Sequence, residues 1–116
     1  MSEDRDAFLK ALDDLDRALE ENLEMTARMR RRIDEIRTAY ADGGSLREIV
    51  PNEETPLLVQ LLTRSTNLLQ AYGTRVRRTE ALALHHEGMT MEEIAKLFGV
   101  SRQRVSALLR ERPRRA

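Results

Sequence analysis

Residues 90–110 read TMEEIAKLFGVSRQRVSALLR, an order that spells two short helices joined by one sharp turn. Thr90 and Glu93 stand at the spacing of a capping box, in which each side chain satisfies a backbone N–H of the other residue, so a helix starts there. Ile94 and Leu97 are expected to point inward, and Ala95 is small enough to let the two helices cross closely. Gly99 supplies the positive φ that a tight turn between helices demands, and Val100 is expected to plug that turn. Ser101 then caps a second helix, on which Val105 and Leu108 at i and i+3 face the core. Arg102, Gln103, Arg104 and Ser106 are left pointing outward.

Upstream, Phe8, Leu12, Leu15, Leu19, Asn22, Thr26, Met29, Ile33, Ile36 and Tyr40 recur in an alternating four-three rhythm, the stripe of a coiled coil. Asn22 and Thr26 interrupt it, either specifying register and partner number or marking a shift of the seam onto Leu23. At 1.5 Å per residue such a helix is roughly 50 Å long, more than a short chain folding back can cover. Phe8, Leu12, Leu15, Leu19, Met29, Ile33, Ile36 and Tyr40 are therefore expected to serve dimerisation, with packing inside the subunit as the alternative use of the same stripe.

Asp42-Gly43-Gly44 stops this helix, and Ser45 and Glu48 form a second Ser-x-x-Glu box before Pro51 cuts the next turn short. Thr55 and Pro56 read as an N-cap and first-turn proline for a helix with Leu57, Leu58, Leu61, Leu62, Leu68, Leu69 and Tyr72 on a wide apolar face. Gly73 either ends that helix or sits inside one running to His86, at a cost of about 1 kcal/mol relative to Ala. The expected class is all-α: a long N-terminal coiled-coil-like helix over 1–42, a linker and core helices over 43–73, and a C-terminal two-helix module with a basic tail over 74–116.

Composition agrees with that class. In 116 residues there are two Phe, two Tyr, no Trp and only three Pro, so helix-forming side chains dominate. Without Cys there is no disulfide frame, thiolate zinc site or cysteine nucleophile. The first residues are acidic where a secretory signal would be basic, and no run of about 18 apolar residues is present, so a soluble, cytoplasmic protein is expected. The net charge of zero hides a dipole: residues 1–73 hold 10 basic against 15 acidic side chains, residues 74–116 hold 10 against 5. A polyanion would dock on the second half. Arg outnumbers Lys eighteen to two, which fits either a GC-rich genome or the better bidentate chemistry of guanidinium.

Other chemistry is poorly supported. His85 and His86 are adjacent, so on a helix they face different ways, and no third ligand stands at a fitting spacing. No metal, cofactor or catalytic group is expected. Asp13, Asp14, Asp16, Glu20, Glu21 and Glu24 read as the solvated outside of the first helix. Gly43-Gly44 lacks the Lys and helix pattern of a phosphate cradle.

The run from Glu93-Ile94-Ala95 through Gly99-Val100-Ser101-Arg102 to Arg104-Val105 resembles the helix-turn-helix of sigma-factor region four and related bacterial transcriptional regulators. The resemblance covers a fifth to a third of the chain, and the remainder departs from sigma factors. It implies that the helix from Arg102 to about Arg110 enters the major groove of double-stranded DNA near its N-terminal end. Carried onto this sequence, it makes Arg102, Gln103, Arg104 and Ser106 base-reading candidates and Thr90 and Ser101 phosphate candidates. Arg pairs bidentately with guanine and Gln with adenine, which suits the first three. Arg77, Arg78, Arg110 and Arg112 are expected on phosphates, with Arg75, Arg114 and Arg115 adding positive charge. A homodimeric, nucleoid-associated regulator is the leading expectation. An architectural DNA-coating protein and an adaptor whose helix-turn-helix contacts another protein, such as the transcription machinery, are its rivals.

Overall fold

A computed structural model describes residues 2–110. Their elements are α1 (Ser2–Ala41), α2 (Leu46–Ile49), α3 (Leu58–His86), α4 (Met91–Phe98) and α5 (Arg102–Arg110). The all-α expectation is borne out, with no strand among the described residues. The described residues form two compact units that share the long helices: residues 17–70 form one, and residues 2–16 with 71–110 the other.

In the unit 17–70, α1 turns Ala18, Asn22, Met25, Met29, Arg32, Ile36 and Ala39 inward, a heptad rhythm of its own. The stripe read from the sequence therefore divides. Met29 and Ile36 are half-buried within the chain, whereas Leu19, Ile33 and Tyr40 are exposed. Asn22 lies on the inward row and meets the Ser65 hydroxyl of α3, so its polarity is satisfied inside the subunit. Thr26 is exposed.

Arg32 decides how this unit closes. Its guanidinium is buried, donating to Glu53 Oε1 at 2.8 Å and to the Pro56 carbonyl at 3.1 Å. The same Glu53 oxygen accepts the Leu58 N–H at 2.9 Å. Burial pushes the Glu53 carboxyl up, but the Leu58 N–H and the Arg32 guanidinium outweigh it and hold the group below the usual carboxylate range.

This arrangement corrects the expected start of α3. Thr55 is not its N-cap and Pro56 is not in its first turn; the helix begins at Leu58, after a cis Thr55–Pro56 peptide. The Leu58 N–H goes instead to the carboxylate of Glu53, five residues back, and Gln60 Oε1 accepts the Leu57 N–H at 2.8 Å. Ser45 does cap α2, though through the Arg47 N–H at 3.2 Å, and α2 is one turn long. Gly43, at φ 94°, stands in the turn that follows α1, as its stop signal requires.

In the second unit, Ala11 of α1 is fully buried and Phe8 and Leu15 half-buried, while Leu12 is 39% exposed. Asp14 Oδ2 meets Arg75 at 3.4 Å and Asp4 meets the His86 ring, tying the start of α1 to α3. The core gathers Ala81 of α3, Ile94 and Ala95 of α4 and Val105 of α5, with Leu84, Met89, Met91, Phe98 and Leu109 packed around it. Gly73 lies inside α3, which runs unbroken to His86.

Candidate nucleic-acid interface

The turn between α4 and α5 is built as its residues dictate. Thr90 Oγ1 accepts the Glu93 N–H at 3.1 Å, and Glu93 Oε1 accepts the Thr90 N–H at 2.9 Å, a complete capping box. Both the Thr90 N–H and its hydroxyl hold the Glu93 carboxyl below its ordinary range. Gly99 follows α4 at φ 70° and ψ 33°, and the Val100 N–H closes the turn onto the Ala95 carbonyl at 3.0 Å. Ser101 Oγ then accepts the Arg104 N–H at 3.0 Å and starts α5.

Two inward assignments need correction. Leu97 is 65% exposed, because Met91, Ile94, Ala95 and Phe98 form the buried stripe of α4. At about 100° per residue, Leu97 falls about 110° from the middle of that stripe, and Phe98 takes the place expected of it. Val100 is 39% exposed, so the backbone bond rather than its side chain closes the turn.

On α5, Val105 and Leu108 are buried, as their spacing requires, and Arg102, Gln103 and Arg104 are exposed. Ser106 is half-buried rather than fully outward. Successive positions are about 100° apart, so the three long side chains fan out: Gln103 stands opposite the buried edge, with Arg102 and Arg104 on its two flanks. Arg110 shares the outer face with Gln103, seven residues on. The Arg102 guanidinium lies 3.9 Å from the Glu92 carboxylate of α4, both ends exposed. Ser101 uses an acceptor position for its cap, so its O–H hydrogen remains to donate.

The remaining cations are differently placed. Arg77 is exposed on α3, its guanidinium lying 3.5 Å from where a Cβ on Gly73 would stand, and Arg78 is half-buried. Arg75 is occupied by Asp14 and by the Tyr72 ring, whose centroid is 5.2 Å away. Arg112, Arg114 and Arg115 lie outside the described residues. The His85 ring faces the Met89 carbonyl at 3.2 Å. No group of three or more His, Cys, Asp or Glu able to hold a metal occurs among the described residues. Among the same residues, no helix is long and apolar enough to cross a membrane.

The buried contact of Ala81 with Ile94, Ala95 and Val105 makes a three-helix unit of the end of α3, α4 and α5. Residues 72–112 match the family model of a homeodomain-like domain. This is a helix-turn-helix, as the run from Glu93 to Val105 led one to expect. The chain matches no curated protein and no solved structure. The matched residues include the end of α3, whose Ala81 packs against α4 and α5. The module expected over 74–116 already took in the end of α3, but the apolar positions of α3 continue from Leu57 to Leu84, and no local signal shows that this stretch belongs to the same helix as the segment before it.

Proposed function

We propose that this protein is a homodimeric, sequence-specific DNA-binding regulator of transcription, without enzymatic activity, working in the cytoplasm on the nucleoid. One observation carries the reading: in a homeodomain-like module, Arg102, Gln103 and Arg104 are exposed at the head of α5 while Val105 and Leu108 lock the same helix into the core. A rigid helix with donors fanned at its N-terminal end suits a major groove. Arg102, Gln103 and Arg104 read base edges, with Ser106 beside them. Ser101, Thr90, Arg77, Arg78, Arg110 and Arg112 serve phosphates. The exposed Leu12, Leu19, Ile33 and Tyr40 of α1 support pairing of two copies, α1 being the arm, residues 43–73 its support and residues 74–116 the reading module.

A dimer presenting two reading helices requires half-sites about 34 Å apart or a multiple of that. Selection of bound sequences from random DNA, with the mass of the complex, tests the whole reading; a single half-site bound by one copy would refute its dimeric part. The Arg102→Ala/Arg104→Ala variant should keep its helix content and lose about 1–3 kcal/mol of binding per Arg. A second reading, contact with a protein of the transcription machinery, draws on the exposed Leu97 of α4. Unchanged DNA affinity in the double variant would favour it.

A further inference from the structure

Beside the row it buries, α1 carries a second apolar row in the unit 17–70. Leu19 is 45% exposed, Leu23 69%, Ile33 39% and Tyr40 57%. With Thr26, Arg30 and Arg37 between them, these positions keep a four-three rhythm of their own, about 100° around the helix from the inward row. Isolated exposed leucines are ordinary, but a heptad row along one helix is the pattern of a helix-helix seam.

The charges beside this row point to the occupant. Glu20 and Glu24 border Leu19 and Leu23, whereas Arg30 and Arg31 border Ile33. Arg37 is paired with Asp34 at 3.4 Å, which leaves Arg30 and Arg31 as the main cations of the second half. A parallel copy would set Glu on Glu and Arg on Arg. An antiparallel copy sets each acidic end on a basic one, and like charges facing each other across an interface are costly.

We propose that α1 pairs antiparallel with α1 of a second copy through Leu19, Leu23 and Ile33, crossing near Thr26 so that Leu19 of one copy faces Ile33 of the other. Glu20 and Glu24 of each copy then face Arg30 and Arg31 of the other. This rests on the homodimer reading above and adds its surface and its direction.

Sedimentation of the full chain tests it with two variants, Glu20→Arg/Glu24→Arg and Arg30→Glu/Arg31→Glu. The wild type should be a dimer. Each variant alone should dimerise at least roughly tenfold more weakly, since its seam opposes like charges, and an equimolar mixture should recover. A monomeric wild type would overturn both the dimer and this surface. Variants that each dimerise as tightly as the wild type would overturn the surface and direction while leaving the homodimer standing, as would folded variants whose mixture does not recover.

Because the chain has no Cys, a second measurement covers variants that fail to fold. Leu19→Cys and Ile33→Cys chains, mixed and treated with a short bis-maleimide, should join position 19 to position 33. Joining of 19 to 19, or no joining, would count against the antiparallel seam.

Discussion

Gly99 makes the turn between α4 and α5 through its backbone conformation. Its φ of 70° is left-handed, and a Cβ added there would meet nothing within 4 Å, so only backbone conformation opposes substitution. Gly99→Ala should therefore cost about 1–2 kcal/mol in urea denaturation, with Asn tolerated better than Ala. Arg32 and Glu53 pose a different residue-scale problem, because their side chains are 9% and 5% exposed. Arg32→Ala would strand a buried carboxylate and should cost about 3–5 kcal/mol. The depressed Glu53 value also fixes a sign. Its contribution is complete above the unfolded-state pKa of about 4.3 and is lost as pH falls through the lower folded-state value. Acid denaturation should accordingly show a smaller gap between the wild type and Glu53→Gln at about pH 3 than near neutrality. None of this was legible in the sequence: Arg32 and Glu53 are 21 residues apart, and each looks like an ordinary surface charge.

At the scale of elements, local signals and observed ends agree throughout the turn between α4 and α5. Thr90 with Glu93, Gly99 and Ser101 all do what their spacing requires, because each partner lies within a turn. Thr90→Ala should cost about 1 kcal/mol by thermal melting, through loss of the cap. The start of α3 was misread because its first N–H groups go to Gln60 and to Glu53, whose carboxylate is held by Arg32, rather than to Thr55. Gly73 is a residual weakness in α3. A Cβ there would touch only the flexible end of Arg77, at 3.5 Å, and φ is not left-handed, so Gly73→Ala should stabilise by about 0.5–1 kcal/mol in urea.

At the scale of the whole molecule, the predictions concern association. If two copies pair, the melting temperature should rise with protein concentration, since association stabilises the folded chain by mass action. DNA affinity should fall steeply with salt, and Arg77→Ala should reduce that dependence by about one phosphate contact without changing the preferred sequence. A change in sequence preference on Arg77→Ala would place this side chain among the base readers instead.

The α-helical class, the position of the helix-turn-helix and the outward facing of Arg102, Gln103 and Arg104 were determined by the sequence itself. These follow from interactions a few residues long: a 3.6-residue period, two caps and a glycine. The division of the α1 stripe, the outward Leu97, the burial of Arg32 against Glu53 and the packing of Ala81 of α3 against α4 and α5 were decided only by tertiary structure. A helical period tells which residues share a face but not which of two adjoining apolar faces the rest of the chain will cover, and that choice depends on partners distant in sequence.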